Sequence, residues 1–232
     1  MKDTAAHKIA VIEDDAQIRK FLRISLEAHG FEVTEARDGQ AGLDMIAAEL
    51  PDVVILDLGL PTMDGREVIR RLREWSDVPI LVLSVRDAEA EKVGALDDGA
   101  NDYVTKPAGI SELLARVRVL LRNRGKDGSA EPVYGYRGLE INFAERRVLL
   151  DGHEVHLSRK EYGLLALLAA HAGQVLTHQQ ILREVWGEDA VRETHNLRVL
   201  VSSLRQKLAD EASQSRYLVT EQGVGYRLRA ES

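Results

Sequence analysis

The chain has 232 residues, enough for one large domain or two ordinary ones, with 44% hydrophobic and 30% charged residues. It has no cysteine, which excludes disulfides and thiolate metal sites. No signal peptide or run of about eighteen apolar residues occurs, so we expect a cytoplasmic protein without a membrane span. The net charge of −7 divides into −6 for residues 1–124 and −1 for residues 125–232, so bulk charge does not indicate nucleic-acid binding.

The first half alternates short apolar runs with amphipathic helical patterns. The apolar runs are Ile9–Ile12, Phe31–Glu35, Val53–Leu56, Ile80–Leu83 and Tyr103–Val104. The helical patterns cover roughly 16–29, 39–49, 65–75, 88–98 and 110–123. Strands without polar alternation are covered on both faces, so five strand–helix units predict a doubly wound α/β fold with a five-stranded parallel sheet.

A polar, glycine-containing stretch at 123–132 predicts a linker between a first domain at 1–122 and a second at 133–232. In the second domain, short alternating segments at 133–157 predict a small antiparallel sheet. Ser158 with Glu161, and Thr177 with Gln180, have capping-box spacing and predict two helix starts. A third helix is predicted at 194–209, followed by strands at 217–220 and 226–229 around a glycine-containing turn. This order indicates a small α+β domain.

Polar residues of the first half fall where its predicted strands end. The sequence Glu13-Asp14-Asp15 ends strand one, Asp57 ends strand three, Ser84 ends strand four and Lys106 follows strand five. Ligands bind at this edge of an open parallel sheet. Crowded carboxylates need a cation, and oxygen ligands favour Mg²⁺ or Mn²⁺. Each residue taken singly could also be a helix cap or turn residue. Their convergence favours a metal-dependent phosphoryl site in which an aspartate beside the metal can act as a nucleophile.

The motifs IAVIEDDAQIR, VVILDLGLPTMDG, ILVLS and GANDYVTKP resemble the receiver domain of bacterial two-component response regulators over residues 8–124. The resemblance implies a sheet order of 2-1-3-4-5. It implies that Asp57 is the phosphoacceptor, Asp14 a direct Mg²⁺ ligand and Glu13 the second acidic residue. The backbone carbonyl of Gly59 would complete the metal contacts of the protein.

The same resemblance implies roles for residues at the other strand ends. Ser84 would be the switch hydroxyl, Lys106 the phosphate-pairing lysine and Tyr103 the aromatic switch, and the peptide bond before Pro107 is expected to be cis. Ala108 departs from the pattern, because relatives usually have phenylalanine there. The packing beside the switch is therefore expected to differ.

Response regulators of this kind pair through helix four, strand five and helix five. The residues that could supply the charged contacts of this dimer face are Lys92, Asp98, Asp102, Glu112 and Arg116. Asn101 and Asn123 stand where Asp and Arg are common, so one pair of bridges is expected to be missing. Exposed ion pairs contribute only about 0–1 kcal/mol each, so we expect a homodimer to form without it.

The second half resembles the winged-helix output domain of the OmpR/PhoB subfamily, from LEINFAERRVLLDGHEVHLSRKEYGLL through VWG to GVGYRL. Within that subfamily, DLGLP, REWSDVPI, ETHNLRVLVSSLRQKL and TEQGVGYR resemble most the branch that regulates Kdp potassium transport. The resemblance implies a transcription factor that a sensor histidine kinase phosphorylates. Phosphorylation would drive dimerisation and binding to tandem half-sites in double-stranded promoter DNA, with RNA polymerase a further candidate partner.

The predicted helix at 194–209 has an apolar stripe at Leu197, Val201, Leu204 and Leu208. Taken alone, its opposite face could be an ordinary solvated helix surface. The resemblance favours DNA recognition by residues of this helix and of the predicted wing at 221–225 and its following strand. The candidates are His195, Asn196, Arg198, Val199, Ser202, Ser203, Lys207, Gln222 and Arg227.

Two other functions are compatible with parts of this sequence. A Mg²⁺-dependent aspartyl-phosphate phosphatase shares the chemistry, but such enzymes generally place the nucleophile after the first strand, whereas Asp57 follows the third. A regulator that binds DNA without phosphorylation is disfavoured by the complete acidic site, although Ala108 leaves room for it. We expect phosphotransfer and self-dephosphorylation, but not a turnover enzyme.

Overall fold

The computed structural model describes residues 6–124, 133–187, 194–211 and 214–230, with the side chains of residues 123, 124 and 133 excepted. The chain divides into two compact units, Met1–Arg124 and Gly125–Ser232. Most of the predicted linker, from residue 125 to 132, lies outside the described residues. Among the described helices, none is long and apolar enough to cross a bilayer.

The first unit is a five-stranded parallel sheet with helices on both faces. The strands are β1 (Lys8–Ile12), β2 (Glu32–Ala36), β3 (Val53–Leu56), β4 (Ile80–Ser84) and β5 (Asp102–Thr105). They lie in the order β2-β1-β3-β4-β5, which confirms the predicted fold and order. The helices are α1 (Ala16–Glu27), α2 (Gly39–Glu49), α3 (Gly65–Arg73), α4 (Glu89–Asp97) and α5 (Ile110–Arg124).

The apolar runs of the sequence explain this layering. Every residue of β3 and β4 is buried, because helices cover both faces of the sheet. Aspartates begin three of the helices, where the side chains of Asp15, Asp38 and Asp64 accept hydrogen bonds from backbone N–H groups of the first turn. The Lys106–Pro107 peptide bond is cis, as expected. Because its central strands are packed on both faces, the sheet presents its carboxyl edge as a rigid platform.

The described residues of the second unit form two antiparallel sheets and three helices. Its elements are β6 (Val133–Tyr136), β7 (Leu139–Asn142), β8 (Arg147–Leu150), β9 (His153–Glu154), α6 (Arg159–Ala170), β10 (Leu176–Thr177), α7 (His178–Trp186), α8 (Thr194–Lys207), β11 (Leu218–Glu221) and β12 (Gly225–Leu228). One sheet has the order β6-β7-β8-β9 and the other β10-β12-β11. The arrangement confirms the predicted winged-helix domain.

Both predicted capping boxes form in this unit. The Ser158 side chain receives the Glu161 backbone N–H while the Glu161 side chain receives that of Ser158, and Thr177 and Gln180 do the same at α7. The predicted stripe of α8 is buried in the core of the unit, at Leu197, Val201, Leu204 and Leu208. The two-residue strand β10 was not predicted, because so short a segment carries no periodicity.

Candidate functional site

The carboxyl edge of the first sheet brings together residues that are far apart in sequence. Glu13 follows β1, Asp57 follows β3 and Lys106 follows β5, and these three strands end at one edge because they are parallel. Carboxylate oxygens of Glu13, Asp14 and Asp57 lie within 4.8 Å of one another. We call these three residues together with Lys106 the acidic pocket.

Lys106 links the two buried carboxylates of the acidic pocket. Its Nζ donates to Asp57 Oδ2 at 2.6 Å and to Glu13 Oε2 at 2.7 Å. The side chains of Lys106, Asp57 and Glu13 are only 10%, 8% and 2% exposed. The other oxygen of Asp57, Oδ1, accepts the Gly59 backbone N–H at 3.0 Å. Asp57 is therefore held from both sides, by Lys106 and by the Gly59 backbone.

These contacts set the charge of the pocket. Burial alone would raise the pKa of the Asp57 carboxyl, but hydrogen bonds from Lys106 and the Gly59 N–H outweigh it and lower the pKa. Burial raises the pKa of Glu13 in spite of its bond to Lys106. Burial would lower the pKa of Lys106, but both carboxylates together raise it. The lowered pKa favours the ionised form of Asp57, which is the form that acts as a nucleophile.

The residues of the acidic pocket fit a hard divalent cation. Three carboxylates face one lysine, so negative charge remains that a cation would neutralise. The donors are all oxygens, and Asp14 is exposed, so water and a phosphoryl group can reach the same ion. Glu13, Asp14 and Asp57 could therefore hold Mg²⁺. The predicted contact from the Gly59 carbonyl stays a prediction.

The two predicted switch residues lie beside this pocket. Ser84 is fully buried at the end of β4, and its Oγ accepts the Arg86 backbone N–H at 3.4 Å. Tyr103 of β5 is buried, and its hydroxyl donates to the Arg86 carbonyl oxygen. The Arg86 guanidinium bonds in turn to Asp64 at 2.9 Å and to Glu91 of α4 at 3.4 Å. The loop after β4 thus connects the pocket to α4.

The charged residues predicted for a dimer face make contacts within the chain. Arg116 donates to Asp102, which is only 3% exposed, at 2.6 Å and to Glu112 at 2.8 Å. Asp98 accepts from Arg66 at 2.5 Å and from Arg70 at 3.2 Å, so it fastens the end of α4 to α3. Lys92 is half-buried on α4. Their part in a dimer stays a prediction.

The departures from the family pattern have local structural meanings. Asn101 Oδ1 accepts the Ile80 backbone N–H at 2.8 Å and Arg73 Nη2 at 3.0 Å, so this amide ties β4 to α3. The side chain of Asn123 lies outside the described residues. Ala108 lines an apolar cavity of about 390 Å³ with Phe21 of α1 and Leu113 of α5. This open space also borders Lys106 and Pro107, and the effect of Ala108 on the packing beside the switch stays a prediction.

The predicted DNA-reading residues of α8, of the β11–β12 turn and of β12 fall into two groups. His195, Asn196, Arg198, Val199 and Ser202 are exposed, as is Gln222 in the turn between β11 and β12. Ser203, Lys207 and Arg227 instead bind carboxylates of the chain: the first two contact Glu161, and Arg227 contacts Glu221. Sequence reasoning found Glu161 only as a capping residue and missed its contacts with α8, because they join residues more than forty positions apart.

Comparisons with known proteins agree with both halves of the chain. Residues 9–118 match the response regulator receiver domain, and residues 152–228 match the C-terminal domain of transcriptional regulatory proteins. The KDP operon transcriptional regulatory protein KdpE of Escherichia coli (strain K12) is 46% identical over 94% of this chain and 97% of its own length. The transcriptional regulatory protein KdpE of Mycobacterium tuberculosis (strain ATCC 25618 / H37Rv) is 44% identical over 96% and 99%.

One solved structure is similar to this chain over both of its domains. The response regulator DrrB of Thermotoga maritima, described as an OmpR/PhoB homologue, is 30% identical and covers 97% of this chain and 100% of its own, with a TM-score of 0.50. The receiver match, the output-domain match and the relatives similar over nearly their full length lead to one conclusion. The chain belongs to the two-component response regulators of the OmpR/PhoB type, which are DNA-binding regulators of transcription.

Proposed function

We propose that a sensor histidine kinase activates this regulator by phosphorylating Asp57, and that the activated form controls a Kdp-type potassium-transport operon. The observation that carries the first part is the ionised Asp57 carboxylate held by Lys106 beside Glu13 and Asp14. The similarity to two KdpE proteins supports the second part. The proposed location is the cytoplasm, where the kinase domain and the promoter are both accessible.

The chemistry is the transfer of one phosphoryl group. A carboxylate oxygen of Asp57 forms a bond to phosphorus as the bond from phosphorus to the kinase histidine nitrogen breaks, and the imidazole leaves with its electron pair. Lys106 lies where it can neutralise a phosphoryl oxygen. When bound, Mg²⁺ (or Mn²⁺) supplies positive charge for the phosphoryl oxygens, with Glu13, Asp14, Asp57 and the Gly59 carbonyl as its ligands. Attack by water on phosphorus would reverse the modification.

The proposed switch uses the hydroxyls beside the pocket. A phosphoryl group on Asp57 adds negative charge and acceptor oxygens, for which the Ser84 hydroxyl is a donor. The Tyr103 hydroxyl donates a hydrogen bond to the Arg86 carbonyl oxygen, so Tyr103 contacts the loop that follows Ser84. A shift of this loop would remodel α4, β5 and α5, whose charged residues would then pair with a second copy. The resulting homodimer places two output domains together.

The proposed DNA contact uses the exposed side of α8 in the major groove and the turn between β11 and β12 in the minor groove. Asn196 and Arg198 are suited to adenine and guanine edges, respectively. The second half has a net charge of only −1, so one copy should bind DNA weakly at physiological salt. Dimerisation raises the effective concentration of the second copy at a tandem half-site. RNA polymerase is a proposed further partner on the promoter.

The test is incubation with a small phosphodonor and Mg²⁺, followed by intact mass, sedimentation and DNA binding. We expect one added phosphoryl group, more dimer and higher affinity for the promoter beside the gene. Asp57→Ala should abolish all three, whereas Asp44→Ala, which removes an exposed carboxylate from α2, should change none. A protein that accepts phosphate without any change in DNA affinity would instead support phosphorylation-independent regulation, to which the open space beside Ala108 gives some weight.

A further inference from the structure

Glu161 is a buried carboxylate in the output domain with more partners than a helix cap requires. It lies in the first turn of α6, and its side chain is 5% exposed. Its Oε2 accepts the Ser158 backbone N–H at 2.6 Å, which completes the capping box. The capping box needs only this one contact of the Glu161 side chain. Two further donors come from a different helix.

The additional donors belong to α8. Ser203 Oγ donates to Glu161 Oε1 at 2.6 Å, and Lys207 Nζ donates to Glu161 Oε2 at 2.8 Å. Lys207 Nζ also donates to the His156 carbonyl oxygen at 3.0 Å. Residues four apart lie on one face of a helix and are separated by about 6 Å along its axis. Two bonds from such residues to one carboxylate fix both the rotation and the axial position of α8.

The apolar contacts of α8 do not by themselves supply this precision. Leu197, Val201 and Leu204 bury the inner stripe of the helix, but hydrophobic attraction has no preferred direction. Hydrogen bonds to a buried carboxylate are directional and short. Burial would raise the pKa of Glu161, but bonds from Lys207, Ser203 and Ser158 lower it to about 2, so the carboxylate stays ionised.

We propose that Glu161 is a positioning residue for DNA reading, acting on α8 through Ser203 and Lys207, which do not themselves contact DNA. The inference rests on the proposed DNA contact of α8. By fixing the rotation of the helix, Glu161 determines the direction in which Asn196 and Val199, both exposed, point toward base edges. Selectivity between DNA sequences therefore depends on a residue buried beneath the reading surface.

A second consequence concerns charge. The Lys207 ammonium is paired with a carboxylate and a carbonyl oxygen, and 38% of the side chain is exposed. A lysine that contacts a DNA phosphate releases a counterion, so it adds about 0.9 to the slope of log affinity against log salt. A lysine that only positions the helix leaves this slope unchanged. The salt dependence of DNA binding thus separates the two roles of Lys207.

The experiment uses the full-length phosphorylated protein, the promoter beside the gene, and unrelated duplex DNA of equal length. Affinities are measured over a series of salt concentrations for wild type, Glu161→Gln and Lys207→Met. We expect both variants to lower the ratio of promoter to unrelated affinity by roughly tenfold, as about 1.4 kcal/mol of lost discrimination would. Lys207→Met should leave the salt slope unchanged. Glu161→Gln should bind unrelated DNA as well as wild type or better, because it leaves the charge of Lys207 uncompensated.

Control variants separate failure of this inference from failure of the proposed function. Wild type that does not prefer the promoter would refute the proposed function itself, whatever the variants do. Glu184→Gln removes an exposed carboxylate from α7 and should leave the promoter preference unchanged. If Glu161→Gln does not fold, as judged by circular dichroism, Ser203→Ala with Lys207→Met tests the same contacts from α8. A slope reduced by about 0.9 in Lys207→Met, or an unchanged promoter ratio in the variants that fold, would overturn the proposal.

Discussion

Gly65 offers a sharp test of how rigidly Asp57, the proposed phosphoacceptor, is held. It begins α3, and a Cβ atom added to it would lie 2.5 Å from the Asp57 carbonyl oxygen and 2.6 Å from Leu58 Cα. Both are backbone atoms, one of Asp57 itself and one of the residue that follows it. Contacts below 3.0 Å are not tolerated, so in Gly65→Ala either α3 or the Asp57 loop must move by about 0.5–1 Å.

The size of the effect follows from this overlap. Inserting a methyl group into a packed region costs roughly 1–3 kcal/mol, so the free energy of unfolding should fall by that amount. A displacement of about 1 Å at a reacting group can lower a rate by about a hundredfold. We expect Gly65→Ala to accept phosphate from a small phosphodonor about ten to a hundred times more slowly.

The assay combines urea unfolding with the rate of phosphorylation in Mg²⁺. Gly109→Ala is the matched control, because a Cβ there meets nothing within 4 Å. That variant should unfold and react like wild type. If Gly65→Ala is as stable and as reactive as Gly109→Ala, the backbone around Asp57 yields easily and the reasoning about a rigid platform is refuted.

Three further outcomes are expected from charged contacts. Lys106→Met removes the cation between Glu13 and Asp57, so Mg²⁺ should bind about tenfold more tightly in calorimetry while phosphorylation slows; weaker binding would contradict this. Arg116→Met removes the guanidinium that pairs with the buried carboxylate of Asp102, so urea unfolding should show a loss of roughly 2–4 kcal/mol, against almost none for the exposed Arg122→Met. The Glu161 pKa is lowered on folding, so its contribution to stability is complete above about pH 4.5 and is lost as the pH falls toward 2. The stability difference between wild type and Glu161→Gln should therefore shrink over that range, and a constant difference would exclude this linkage.

The first domain was largely predictable because its signals are local and redundant. The uninterrupted apolar runs of β3 and β4 identify strands covered on both faces, and the polar residues that end them must meet at one edge. The placement of Glu13, Asp57 and Lys106 follows from sheet topology alone once the strands are recognised. No knowledge of individual side-chain contacts was needed to predict that pocket.

The contacts that sequence reasoning missed depend on which neighbour a charged side chain selects. Asp98 is predicted to face a second copy of the chain, which stays a prediction; its bonds to Arg66 and Arg70 were not predicted, because they arise from the packing of α3 beside α4. Lys207 is predicted to contact DNA because of its place on α8, and that stays a prediction; its bond to the buried carboxylate of Glu161 on α6 was not predicted. Helical periodicity identifies the exposed face of a helix without identifying the long-range partners of polar residues at its margin.

Thr177 connects α7 to the β11–β12 hairpin, two parts of the output domain that are far apart in the sequence. It caps α7, and within β10 it pairs with Gly225 at the base of the β11–β12 turn, where a Cβ would lie 1.9 Å from the Leu176 carbonyl oxygen. The His178 backbone N–H donates to the Val224 carbonyl oxygen at 3.1 Å. These contacts hold the start of α7 against the turn, and α7 packs with α8 in one core. The proposed DNA-reading helix and the turn therefore have a fixed opening between them. DNA whose grooves do not match that opening must itself bend or twist, so the stiffness of base steps that the protein never touches should contribute to operator choice.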